Sequence, residues 1–229
     1  YVKPDAGGLN RVDYAAFKKV SHRVLKDYIK ALQGVDVRGL DRPEQFAFWA
    51  NLYNAKTIDV ILDHYPVTSI REISINGGLF GFLKKSVGAG GPWKAKILKV
   101  SGQELSLDDV EHNILRPIFK DPRVHYAVNC ASVGCPNLRI SAFTGANLGA
   151  DLDAGARAYI NHPRGVSVTD GAVRASSIYD WFKSDFGGNA AGVLTHVRKY
   201  AGPELAAKLN GAATISKYSY DWSLNDIKR

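Results

Sequence analysis

Asp41-Arg-Pro-Glu-Gln-Phe-Ala-Phe-Trp-Ala-Asn-Leu-Tyr-Asn-Ala-Lys-Thr-Ile-Asp-Val-Ile-Leu-Asp-His64 decides the fold. Asp41 is suited to cap a helix, and Pro43 falls in the first turn, where a missing N–H does least harm. Placed on a wheel at about 100° per residue, Lys56, Asp59 and Asp63 share one solvated face. Apolar side chains fill most of the remaining circumference, which predicts a largely interior helix that the other elements pack around. Asn54 lies opposite those charges, flanked by Ala47, Ile58 and Ile61, with Asn51 beside it. A buried amide needs partners. Two uses are open to Asn54: tying down a neighbouring loop's backbone, or orienting a catalytic or ligand-binding group.

On the N-terminal side, Val12, Phe17, Val20, Val24, Tyr28 and Leu32 recur at helical spacing and predict one amphipathic helix of about twenty residues. Residues 1–9 lack periodicity and read as a mobile lead-in to a single domain over residues 10–229. On the C-terminal side, two glycine-rich stretches lack the pattern of a phosphate-binding loop. They read as turns that bring Phe80, Phe82 and Trp93 around a cleft. Residues 94–105 predict a hairpin. Ser106-Leu-Asp-Asp109 has the form of a capping box and opens a helix to about Phe119. Its apolar stripe is Leu107, Val110, Ile114, Leu115 and Ile118. Glu111 falls in the middle of that stripe, with His112 and Arg116 on its flank. A carboxylate aimed at a core calls for an ion-pair partner or has an acid–base role. A helix over residues 146–160, a hairpin turning at Asp170-Gly171, three short helices and a strand-like tail over residues 215–224 follow. The sum is an α+β chain, with helices packed on a small, mainly antiparallel sheet.

Chemistry concentrates in Arg123-Val-His-Tyr-Ala-Val-Asn-Cys-Ala-Ser-Val-Gly-Cys-Pro136, which holds both cysteines of the chain. Read as a strand, Arg123 to Cys130 puts His125, Ala127 and Asn129 on one face and Cys130 on the other. Direct pairing of His125 with Cys130 then needs a bulge, whereas Cys135 reaches His125 by a loop return at Gly134. Four readings stand: a disulfide, simple burial, a zinc site, and a reactive thiol with His125 as base and Glu111 or Asn54 as orienter. The H-x₄-C-x₄-C spacing is not a usual zinc pattern, so neither metal nor cofactor is expected.

At 229 residues, 45 % hydrophobic and 23 % charged, the chain has an ordinary globular balance and is long enough not to need its cysteines as staples. The net charge of +8 is scattered from Arg11 to Arg229 rather than gathered on a stripe, which argues against nucleic acid as a partner. No apolar run of 18 residues occurs, so no transmembrane helix is expected. The sequence begins at Tyr1 and holds no methionine, which sets the expectation of a removed leader and a periplasmic or secreted protein.

Several strings together resemble one family. They are Phe48-Trp-Ala-Asn-Leu-Tyr-Asn-Ala55, Leu107-Asp-Asp-Val-Glu-His112 with Leu115-Arg116, His125-Tyr-Ala-Val-Asn-Cys130, Cys135-Pro136, Trp181-Phe-Lys-Ser-Asp-Phe186 and Tyr220-Asp-Trp-Ser-Leu-Asn225. The pattern, over about residues 46–225, is similar to the domain-of-unknown-function 547 family. The resemblance implies a bacterial envelope or secreted domain, with plant relatives, and recurrent polar positions at Asn54, Glu111, His112, Arg116, His125, Cys130 and Cys135. A distant likeness to papain-type or transglutaminase-type folds would place Asn51 or Asn54, not a cysteine, on the central helix. Two functions are carried forward. One is a thiol-dependent hydrolase or transferase acting on a peptide or thiol-containing small molecule, with Cys135 as nucleophile, His125 as base and Glu111 or Asn54 as orienter. In it Cys130, His112, Arg116 and Asn129 line the binding site. The other is a ligand- or peptide-binding module stapled by a Cys130–Cys135 disulfide.

Overall fold

The computed structural model describes residues 1–75 and 91–227 and belongs to the α+β class. The stretch expected to present Phe80 and Phe82 lies outside the described residues. Helix α3 (Arg42–His64) runs through the centre, after helices α1 (Tyr14–Val20) and α2 (His22–Gln33). Asp41 caps α3 by accepting the Glu44 N–H at 2.9 Å. Phe46, Ala50, Leu52, Tyr53, Ile61 and Leu62 are almost fully buried, and each large apolar chain among them contributes about 1.5–3 kcal/mol of transfer free energy.

One charged position of α3 departs from the expected solvated face. Asp59 is buried, because α2 packs over that face and brings His22 and Lys26 to 2.8 and 2.7 Å of its carboxylate, with Lys56 at 2.7 Å. The single amphipathic helix expected ahead of α3 is also corrected. Ser21 is non-helical, with φ −132°, and splits it into α1 and α2. The break resets the helical phase, so Leu25 and Ile29 are buried while Val20 and Val24 are exposed. The segment read as an aperiodic lead-in, residues 1–9, holds β1 (Val2–Pro4), which pairs antiparallel with β2 (Asn10–Val12), and Tyr1 stacks on Phe17.

Strands β3 (Leu98–Val100) and β4 (Gln103–Leu105) form the expected hairpin, with positive φ at Ser101 and Gly102. The capping box at Ser106 and Asp109 is reciprocal: each side chain accepts the other residue's N–H, at 3.0 and 2.7 Å. The helix it opens is wound as a π-helix over Asp109–Phe119. Because π-winding closes hydrogen bonds five residues back rather than four, a stripe drawn at α-helical spacing drifts off the core face. Leu107, Val110, Glu111 and Leu115 are buried as expected, but Ile118 is 45 % exposed.

Beyond it lie α4 (Leu148–Ile160), β5 (Val166–Thr169), β6 (Ala172–Ser176), α5 (Ile178–Trp181), α6 (Ala190–Tyr200), α7 (Pro203–Lys208) and β7 (Lys217–Ser219). Strand β6 pairs antiparallel with β5 and parallel with β7, so the tail joins a three-stranded sheet. Among the described residues two apolar clusters result, one around α3 and one around Tyr159, Tyr179, Phe186 and Val193.

The chemistry-bearing stretch is not a strand. Pro122–Tyr126 is a 3₁₀ turn, started by the Asp121 carboxylate accepting the Arg123 N–H at 2.9 Å, with Pro122 in first position. Asp-Pro is a helix-start signal, and it overrides the β-branched composition that favoured a strand. Strand alternation therefore says nothing about His125 and Cys130. The turn instead links the two clusters, burying Val124 in one and Tyr126 in the other.

Candidate functional site

The loop from Ala127 to Pro136 is held in shape by two amides. Asn54 of α3 donates from Nδ2 to the Ala127 carbonyl and accepts the Asn129 N–H, both at 2.8 Å. Asn54 thus ties down a neighbouring backbone. Asn129 donates to the Pro136 carbonyl at 2.7 Å and accepts the Ala131 N–H at 2.8 Å, which pinches the loop closed. Ala131 sits at φ +60°, a strained value for a residue with a Cβ. The C-terminal tail backs the loop, accepting the Val133 and Gly134 N–H groups on the Ser223 and Asp221 carbonyls, each at 2.8 Å. A Cβ on Gly134 would sit 2.8 Å from the Asp221 nitrogen, so only glycine allows this approach.

The pinch gathers four hydroxyl and thiol groups. Cys130 Sγ, Cys135 Sγ, Ser132 Oγ and the Tyr220 hydroxyl lie within contact of one another in all six pairings, from 2.7 Å between the sulfurs to 3.3 Å. Both cysteines are free thiols. Remove one proton from this group, and three hydrogens remain that can converge on a single acceptor. The Cys130 backbone N–H donates to Cys135 Sγ at 3.0 Å, which selects Cys135 as that acceptor. Burial alone would raise the Cys135 pKa, but hydrogen bonds from Cys130, Ser132 and Tyr220 overcome it and pull the value below that of an ordinary thiol. Cys130, hydrogen-bonded to a neighbouring sulfur and desolvated, is pushed up. Burial keeps the Tyr220 phenol protonated, and hence a donor.

The facing wall carries a carboxyl–imidazole chain. Glu111 is buried, receives a hydrogen bond from Tyr53, and lies with Oε1 3.9 Å from His125 Nδ1. Burial raises the Glu111 pKa more than nearby His112, Tyr53 and Arg116 lower it. His125 Nε2 donates to Asp185 Oδ2 at 2.7 Å, leaving Nδ1 as the lone-pair nitrogen. Its ring stacks on Phe182 at 4.2 Å, and burial holds its pKa down, so it is neutral. Asp185 is in turn gripped by a two-pronged Arg116 guanidinium, at 2.6 and 3.0 Å. Against its partial burial, Asp185 is kept well below the usual carboxylate range by His125 and Arg116. Arg116 also donates to His112 Nδ1 at 3.1 Å.

Between these walls lies a cleft of about 630 Å³, lined by both cysteines, Glu111, His112 and His125. Trp93, Trp181, Trp222 and Tyr220 form its aromatic side, with ring centroids 4.7 to 5.8 Å apart. Trp93 is therefore at a cleft, as the glycine-rich turns implied. The expected pairing of nucleophile and base is not present as a direct contact: among the described residues no hydrogen bond joins Cys135 to His125. Asn54 and Asn129 shape the loop and do not line the cleft, and Arg116 stands behind His125. Asp185, Tyr220, Ser132 and Tyr53 were not singled out from the sequence. Asp185 and Tyr220 belong to the aromatic-rich strings Trp181–Phe186 and Tyr220–Asn225, where an isolated polar group among aromatics was the available signal.

The sequence profile of the family described as "Protein of unknown function, DUF547" matches residues 37–160, more than half of the chain. The matched segment contains α3, the π-helix, the cysteine loop and all of α4, but neither Asp185 nor Tyr220. No curated protein and no solved structure matches the chain.

Proposed function

The chain belongs to the DUF547 family, whose description names no activity, and we propose from the cleft that it is a thiol-dependent acyl-transfer enzyme, a hydrolase or transferase acting on a peptide or a small thiol ester. One observation carries the reading: the Cys135 sulfur accepts from the Cys130 backbone N–H and lies within contact of two hydroxyls and a second thiol, inside an open cleft. A thiolate held in this way is a nucleophile that needs no adjacent base. His125 consequently takes a different part from the one expected of it. With Asp185 on Nε2, its Nδ1 faces Glu111 and orients that carboxyl.

Glu111, its pKa raised, is the proton carrier. The Cys135 thiolate attacks the acyl carbon, the C–S bond forms, and the bond to the leaving amine or thiol breaks as Glu111 supplies its proton. Water or an acceptor thiol then attacks the thioester, returns a proton to Glu111 and frees the thiolate. The aromatic side, with Trp181 48 % exposed, supplies apolar seating for the acyl part. The test uses p-nitrophenyl acetate and intact-mass measurement. One p-nitrophenolate released per chain in a burst, with one acetyl group on Cys135, is the expected result. If neither cysteine acquires acetyl before the protein is denatured, the reading fails.

A further inference from the structure

The same cluster holds a second thiol that acyl transfer uses only as a hydrogen-bond donor. Cys130 Sγ lies 2.7 Å from Cys135 Sγ, well inside the contact distance of two sulfurs, and is less deeply buried than its neighbour. Both cysteines line the cleft. The loop between them is the four residues Ala131 to Gly134 with its ends tied, by Asn129 to Pro136 and by Cys130 N–H to Cys135 Sγ, so little movement separates two thiols from a bond. The Ala131 strain lies inside this short ring.

We propose that the site also catalyses thiol–disulfide exchange with small disulfides, Cys135 attacking and Cys130 resolving. In the first step the Cys135 thiolate attacks one sulfur of R–S–S–R. A Cys135–S–S–R bond forms, the substrate's S–S bond breaks, and R–S⁻ leaves with the electron pair. In the second, Cys130 loses its proton to the departing thiolate and attacks Cys135 Sγ. A Cys130–Cys135 disulfide forms, and a second R–S⁻ leaves. The protein dithiol is oxidised by two electrons and the small disulfide is reduced to two thiols. The hydroxyls of Ser132 and Tyr220 lie at 3.3 and 3.1 Å from Cys130 Sγ, able to stabilise it as it ionises. The cleft's aromatic side favours a disulfide with flat or apolar substituents.

The inference shares with the acyl-transfer reading only the reactivity of Cys135, and its test involves no acyl group. Dithiodipyridine, a neutral aromatic disulfide, is added in slight excess to the reduced full chain. Two pyridinethiones should be released per chain, followed by absorbance. The product should be two hydrogens lighter than the starting protein and carry no adduct. The second release should be first-order and unchanged over a tenfold range of reagent. Cys130→Ser should stop after one release and keep one pyridinethiol group, mapped to Cys135. The proposal is overturned if the wild-type product carries one or two adducts, if neither thiol reacts, or if the adduct of the Cys130→Ser protein is absent. Closure of the disulfide without any acetylation by p-nitrophenyl acetate would sink acyl transfer and leave this proposal standing.

Discussion

Tyr220→Phe tests the origin of the Cys135 thiolate directly. The substitution deletes one hydroxyl, 3.0 Å from Cys135 Sγ, and keeps the ring that packs on Trp181 and Trp222. A hydrogen bond to a charged group is worth about 1.5–3 kcal/mol, and about 1.4 kcal/mol corresponds to one pKa unit. Full loss would therefore raise the Cys135 pKa by roughly one to two units. The structure argues for the lower end. Ser132 Oγ is bonded to the Tyr220 hydroxyl at 2.8 Å, and when that partner is gone its proton can turn wholly to Cys135, 3.3 Å away. The Cys130 N–H does not change.

The assay is the rate of carbamidomethylation by iodoacetamide between pH 4 and 9, read by intact mass with peptide mapping. The wild-type profile should have its midpoint below that of a free thiol, at Cys135. In the Tyr220→Phe protein the midpoint should move up by about one unit, with the high-pH plateau little changed. Ser132→Ala should move it the same way. A midpoint that stays put or falls refutes the reasoning, and so does labelling that maps first to Cys130.

Three further outcomes follow from the geometry. Asn54→Ala strips partners from the buried Ala127 carbonyl and Asn129 N–H, at about 1–3 kcal/mol for each orphaned group. Urea unfolding should show a loss of roughly 2–4 kcal/mol, and a loss under about 0.5 kcal/mol would show that water replaces the amide freely. Glu111→Gln should stabilise the protein increasingly as pH rises. Burial raises the folded-state pKa of Glu111, so the stability linked to its proton is complete below the unfolded value and is lost as pH climbs through the raised one. The melting-temperature gain of the Gln variant over wild type should thus widen from pH 5 to pH 8, and a gap that narrows contradicts the assignment. Gly134→Ala drives a methyl into the Asp221 backbone. It should cost more than about 2 kcal/mol in urea unfolding and speed proteolysis of the tail beyond residue 215, whereas wild-type stability would mean that the tail does not press on the loop.

How much of this was readable depended on how regular the carrying element is. The burial of Asn54 was legible because α3 is an ordinary α-helix and a wheel of period 3.6 describes it, whereas the choice between loop clamp and orienter was not. Glu111 was also placed correctly, but Ile118, on the same helix, was not. Near the capped end a wrong period has accumulated little error, and by the second turn of π-winding it has turned a residue to solvent. The cysteine loop failed for another reason. Its Val- and Tyr-rich start looks extended, and only Asp121-Pro122 announced the 3₁₀ turn. Asp185 and Tyr220 reach their partners from 60 and about 90 residues away, and no local spacing encodes such contacts.

The two walls divide protonation in a way that neither could achieve alone. On the His125 side, the Arg116–Asp185 pair cancels its own charge and leaves a neutral imidazole beside a carboxyl whose pKa burial raises. Among the described residues, no hydrogen bond joins a cationic side chain to either sulfur. The hydrogen bonds that hold the Cys135 anion thus come from dipoles, one backbone N–H and three side-chain hydrogens, with the Arg164 guanidinium acting on it only from beyond hydrogen-bond reach. Dipoles fixed by a pinched loop need no reorganisation when charge leaves the sulfur for a substrate, which is the electrostatic condition for a fast transfer. An ion pair would have held the thiolate as well, but a counter-cation at contact would oppose every step in which the negative charge moves away. On this ground the Asn129 pinch and the Tyr220 hydroxyl matter more to reactivity than any repositioning of His125 toward Cys135.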